Sequence, residues 1–121
     1  MTKSQDNQIY VLEIPDVHPS LNVWTKMHHM KRYQLKKEWE HMVNIIAKKE
    51  KLPFIKKPVE IFITYYHPRK TVDLDNYTPK FICDALKSYF TDDNITNLVK
   101  LGWEFKTGKK RSVIYIKELV S

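Results

Sequence analysis

The sequence predicts an α+β fold, a small mixed β-sheet with helices packed on it and elements running β-α-β-α-β-β along the chain. Three observations predict it. Four short stretches are rich in β-branched and aromatic residues. Two segments between them carry apolar residues at helical spacing. The composition is that of a globular protein, 42% hydrophobic and 29% charged, with only 2 Gly and 6 Pro. At 121 residues the expectation is a single domain spanning 1–121.

Taken in order, Gln8 to Ile14 mixes β-branched and aromatic residues and stops at Pro15, which reads as a first strand. Asp16 to Asn22 is a loop by its turn-forming residues. From about Tyr33 to Lys51, Trp39, Met42, Val43 and Ile46 recur at i, i+3, i+4 and i+7, with Lys36, Lys37, Glu40 and Lys48 on other faces. That amphipathic helix ends before Pro53. Val59 to Tyr66 is apolar on both faces over much of its length, as a central strand should be. Ile82, Ala85, Leu86 and Tyr89 mark a second helix, capped either by Asp75 or by Thr78 with Pro79 in the first helical position. Two strands follow, Val99 to Lys106 and Arg111 to Glu118, joined through Thr107-Gly108-Lys109-Lys110 as a hairpin turn. There is no internal repeat.

Several classes are set aside by composition. No apolar run approaches the roughly 20 residues that span a bilayer, and no apolar stretch follows Lys3 as in an export signal. One cysteine, Cys83, cannot form an internal disulfide, and no paired Cys/His spacing suggests zinc. A cytoplasmic protein without a membrane partner is expected. The charge is +7, from 21 Lys plus Arg against 14 Asp plus Glu, spread along most of the chain. Such an excess suits a polyanion, since neutralised phosphates release counterions, though it also suits plain solubility.

Against that basic background, carboxylates gather in two places. Asp73-Leu74-Asp75-Asn76 follows the basic pair Arg69-Lys70, and Asp92-Asp93 follows the second helix. If Asp73 to Asp75 is extended, both side chains point to one side, about 7 Å apart, a reach from which they can share a hard divalent cation. Helix capping and a polar turn explain each group equally well in isolation. Their combination points elsewhere, because carboxylates repel phosphate unless a metal ion intervenes. Lys80 lies near the helix start, where it is either a solvated helix lysine or a stabiliser of developing phosphorane charge.

The string Asp73-Leu74-Asp75-Asn76, Lys80, Asp84-Ala85-Leu86 and Asp92-Asp93 resembles the acidic core of RusA-type Holliday junction resolvases. Pro19-Ser20-Leu21-Asn22 is similar to the Pro-Ser-x-Asn segment after that family's first strand. The resemblance implies a homodimeric α+β endonuclease that binds four-way DNA junctions and cuts them symmetrically with Mg²⁺, Mn²⁺ substituting. It places catalytic roles on Asp73, Asp75, Lys80 and Asp93, with Asp73, Asp75 and Asp93 as metal ligands and Asp92 as the alternative third ligand. Three residues separate Asn76 from Lys80 where the family pattern has two. Asp84 is expected to be structural, pairing with a basic neighbour.

Contacts to DNA are expected from Asn22, Lys26, Lys31, Arg32, Arg69, Lys70 and Asn76. Trp24, His28 and His29 lie within the same aromatic-basic stretch as Lys26, Lys31 and Arg32, of the sort that grips backbone and stacks on bases, unless Trp24 simply packs. Two other functions share these features: a noncatalytic DNA-binding protein on the same fold, and a metal-dependent nuclease acting on flaps, forks or RNA.

Overall fold

The structure, a computed structural model, describes residues 8–68, 79–90 and 98–119. Strand β1 (Gln8–Ile14) leads into helix α1 (Leu21–Lys26) and the long helix α2 (His29–Lys49); strand β2 (Val59–His67) follows. Helix α3 (Lys80–Ala85) continues as a single 3₁₀ turn (Lys87–Tyr89), and strands β3 (Leu98–Thr107) and β4 (Arg111–Glu118) complete the described chain. The expected order holds, with α1 added where the sequence suggested only a loop. Ser20 explains it: its Oγ accepts from the Val23 N–H, capping a helix too short to show a periodicity.

The four strands form one mixed sheet in the order β1-β4-β2-β3. β4 runs antiparallel to both β1 and β2, whereas β2 and β3 are parallel. The expected hairpin between β3 and β4 is therefore corrected: both strands lie where the sequence put them, but they are not neighbours, because β2 sits between them. Residues 108–110 cross the end of β2 instead. The Gly108 N–H donates to the His67 carbonyl at 3.0 Å, and a Cβ on Gly108 would meet the Tyr66 ring at 3.3 Å. Composition identifies the turn, but partner choice is decided by burial. Inserting β4 between β1 and β2 sinks Ser112, Ile114 and Ile116 into the core.

Alternation sorts the strands cleanly. Leu12 and Ile14, Val59, Ile61, Ile63 and Tyr65, and Ile114 and Ile116 form one buried face. Against it pack Trp39, Val43 and Ala47 of α2 and Phe81, Ile82 and Ala85 of α3. The expected central strand is confirmed, since β2 has a partner on each side. Helix α3 begins at Lys80 with Pro79 in the cap position, one residue later than a start with Pro79 as its first helical residue; the two expected caps, Asp75 and Thr78, lie outside the described residues.

Helix α2 ends in a Schellman arrangement, with Leu52 N–H bonded to the Ala47 carbonyl and Lys51 N–H to that of Lys48. The reversal forces Lys51 to φ 59°, a conformation that disfavours a side chain with a Cβ. Replacing Lys51→Gly is expected to stabilise the fold by about 1 kcal/mol, and Lys51→Val to destabilise it. Urea unfolding of the three proteins measures both signs.

Candidate active site at the carboxyl end of the parallel strands

The two acidic segments nominated by the sequence lie outside the described residues. These hold Asp73, Asp75 and Asn76 with Arg69 and Lys70, and Asp92 with Asp93. The described residues that bracket them are informative. The first connection leaves from the carboxyl end of β2, after His67 and Pro68, and ends at Pro79 where α3 begins. In open α/β sheets that end of the parallel strands is where ligand crevices form. The second connection starts beyond Phe90, bridged to Ile55, and enters β3 at Leu98, opposite Val59.

Around the carboxyl end of β2, four elements converge on one imidazole. His18, in the loop after β1, is 2% exposed. Its ring stacks on Phe81 of α3 (centroids 4.9 Å apart) and meets Trp39 of α2 edge-on at 5.7 Å. Nδ1 lies 3.0 Å from the Pro19 carbonyl oxygen, which can only accept, so the ring proton sits there. Nε2 is then an acceptor, and the Tyr65 hydroxyl of β2 donates to it at 2.6 Å. Burial keeps the ring neutral, holding the His18 pKa down at about 4 against the smaller opposing effect of the Pro19 carbonyl. Burial likewise pushes the Tyr65 phenol well above its usual range, with a further contribution from Cys83.

This clamp sets the loop that carries Ser20 and Asn22. Trp24 of α1 packs edge-on against Phe81 at 4.7 Å and is half-buried, the packing role. α1 is thereby held beside the first turn of α3, next to Lys80. His28 caps α2 by accepting from the Met30 N–H, and its ring lies against His29. Lys26 ends α1, and Lys31 and Arg32 open α2. Asn22, Lys26 and Lys31 are exposed; Arg32 is half-buried.

Lys80 projects into solvent, its side chain 71% exposed, and donates to Asp84 Oδ2 at 2.8 Å. The same carboxylate oxygen lies 3.6 Å from Lys36 of α2. Asp84 therefore does pair with basic neighbours, drawing one cation from each helix to the same side. So exposed a pair adds little stability; what it does is orient Lys80. Lys110, at the crossing between β3 and β4, is drawn to Asp16 at 3.5 Å, and Ser112 Oγ donates to the Asp16 carbonyl. Arg111 stacks its guanidinium over the Tyr66 ring at 3.9 Å. A hollow of about 520 Å³ opens here, its walls including His18, Glu38, Trp39, His67 and Lys110.

Sequence reasoning missed His18, Tyr65 and Lys36. His18 stands in a Pro-rich turn and Lys36 on a helix face crowded with lysines, so no local signal marks either. Tyr65 carried a faint one, a phenol on the buried face of an apolar strand, where a hydroxyl needs a partner.

Below the ordinary histidine pKa near 6.5 the unfolded chain takes up a proton that the folded chain refuses until about pH 4. Stability contributed by neutral His18 is thus complete above pH 6.5 and falls as pH drops through that window. Between pH 7 and 4.5 the loss is expected to be roughly 2–3 kcal/mol. Denaturant unfolding of wild type and His18→Gln at both pH values measures it: the variant is weaker at pH 7 but lacks this part of the acid slope. Tyr65→Phe, which leaves Nε2 buried without its donor, is expected to cost about 1–3 kcal/mol at pH 7.

No curated protein sequence matches the chain. The family model described as Endodeoxyribonuclease RusA matches residues 13–117. That span runs from the end of β1 to the end of β4 and includes the His18 clamp, the Lys80–Asp84–Lys36 group and both acidic segments. The chain belongs to the RusA endodeoxyribonuclease family.

Proposed function

We propose that the chain is a metal-dependent, structure-selective endonuclease that resolves four-way DNA junctions by paired, symmetric phosphodiester cleavage, acting as a homodimer in a bacterial or phage-infected cell. Family membership over residues 13–117 carries this reading, because that span holds the complete set Asp73, Asp75, Lys80 and Asp93.

The donor set fits a hard divalent cation: Asp73, Asp75 and Asp93, with Asp92 as the alternative third ligand, offer carboxylate oxygens and no sulfur or imidazole. These residues would hold Mg²⁺, or Mn²⁺ in its place. When bound, such an ion supplies an activated water and neutralises charge on the phosphate. The protein's own residues do the rest. The Lys80 ammonium, oriented by Asp84, donates to a phosphate oxygen as charge builds on it. Lys26, Lys31, Arg32, Arg69 and Lys70 neutralise backbone phosphates, and Asn22 and Asn76 add hydrogen bonds beside the scissile bond. Carboxylates within a chain of charge +7 are consistent with this division of labour, since phosphate is attracted everywhere except where a cation must sit between.

The reading predicts separable effects. Asp75→Asn is expected to lower nicking of a synthetic junction about a thousandfold, or about 4 kcal/mol of barrier, and to abolish Mn²⁺ binding followed by electron paramagnetic resonance. Junction affinity in gel shifts should stay within about threefold. Lys80→Met should lower nicking while Mn²⁺ binding persists. If Asp75→Asn loses its fold along with activity, the carboxylate is a structural residue and the assignment fails.

A further inference from the structure

Arg111 opens β4, and the strand register fixes what it meets. It pairs with Tyr66 of β2, and Tyr66 pairs in turn with Lys106 of β3. Their chain neighbours Tyr65 and Ser112 are buried in the core under the helices. Arg111, Tyr66 and Lys106 therefore form a row on the other face of the sheet, at the carboxyl end of β2. The guanidinium stacks over the Tyr66 ring at 3.9 Å. The crossing segment closes on the same ring at Gly108, where a Cβ would lie 3.3 Å from it. Two paired strands and a turn thus hold one arginine in place.

What this arginine lacks is an anion. Among the described residues no carboxylate pairs with it, and its buried Nε has no acceptor. The carboxylates nearby are engaged elsewhere. Glu104 accepts from the Thr64 hydroxyl at 2.9 Å and lies 3.9 Å from Lys106, while Asp16 lies 3.5 Å from Lys110. Lysines occupy the acids, and the arginine is left to a ligand. An arginine serving stability alone ordinarily satisfies its donors within the fold. One fixed on an aromatic ring with its fork unpaired is ready for an anion that accepts two parallel hydrogen bonds, and phosphate has that geometry.

Position selects the phosphate. The connection that carries Asp73 and Asp75 leaves β2 after His67, the residue next to Tyr66, and ends where Lys80 opens α3. Arg111 stands where that connection begins and Lys80 where it ends, on opposite sides of the sheet. We propose that Arg111 is a further DNA-contacting residue, whose guanidinium, positioned by Tyr66, takes a backbone phosphate on the side of the cleavage site away from Lys80. The proposal rests on the endonuclease reading above and deepens it: Lys80 serves the phosphate that is cut, and Arg111 holds the strand at a neighbouring one. Tyr66 acts through the arginine. Stacking sets the fork beforehand, so less rotamer freedom is lost when DNA binds.

The test is fluorescence anisotropy of the full chain with a labelled four-way junction in chelator, over a range of salt, so that binding is read without cutting. Arg111→Gln is expected to weaken binding about tenfold and to lower the slope of log affinity against log salt by about one, the loss of one phosphate contact. Arg111→Lys should keep the slope, because the charge remains, yet bind severalfold more weakly, because the fork is gone. Tyr66→Leu should also keep the slope and weaken binding about threefold, with no further effect once Arg111→Gln is present. Lys57→Gln, which removes an exposed charge before the amino end of β2, is the control and should leave the slope unchanged. Wild-type affinity and slope in Arg111→Gln, even with a lowered melting temperature, would make the arginine a packing residue and overturn the proposal. Wild-type binding by Arg111→Lys, or an equal loss in Lys57→Gln, would overturn it too. If Arg111→Gln does not fold, Arg111→Lys and Tyr66→Leu decide by the same readings. Junctions bound through Arg111 but never cut once Mg²⁺ is added would keep this contact and refute the cleavage reading instead.

Discussion

A neutral imidazole ties together the elements around the site. His18 receives the Tyr65 proton from β2, stacks on Phe81 of α3, abuts Trp39 of α2 and belongs to the loop that leads to α1. Four chain segments, far apart in sequence, thus share one fixed ring. With the Nδ1 proton on the Pro19 carbonyl and Nε2 accepting from Tyr65, the tautomer of the neutral ring is set, and burial disfavours a second proton. The same contacts fix the separation between β2, whose end opens the first acidic connection, and α3, whose first residue is Lys80.

Charge then sets the helical side of the sheet apart. On the helical side Lys26, Lys31, Arg32, Lys36 and Lys80 collect along α1, α2 and α3, with Asp84 holding two of them in place. In the proposed reading, that side meets backbone phosphate. On the opposite face of the sheet, acidic and basic side chains flank an exposed uncharged row of Val11, Tyr115, Phe62 and Gly102. Membership of the RusA endodeoxyribonuclease family makes the chain a nuclease.

Much of this was legible in the sequence because it depends on local period. β1, α2, β2, β3 and β4 all appear where alternation or helical spacing placed them, and the family pattern is carried by short strings such as Asp73-Leu74-Asp75-Asn76. What escaped was decided by contacts between distant residues. The turn after β3 looks like a hairpin because Gly108 and its lysines suit a hairpin; only the burial gained by placing β4 between β1 and β2 excludes it. α1 escaped because six residues hold too little periodicity. His18 escaped because a histidine beside a proline reads as surface until Tyr65, Trp39 and Phe81 close around it. The acidic residues at the centre of the proposed chemistry lie outside the described residues, so their roles rest on the family pattern and on carboxylate chemistry.

The central claim is that metal-assisted cutting is directed at branched DNA. It is tested most directly by nicking assays on a synthetic four-way junction beside linear duplex, single-stranded DNA and RNA of matched sequence, each with Mg²⁺, with Mn²⁺ and with chelator. The account predicts paired nicks near the crossover of the junction alone, in either metal and absent with chelator. Junction binding without cleavage in any metal, or equal cutting of the unbranched substrates, would contradict it.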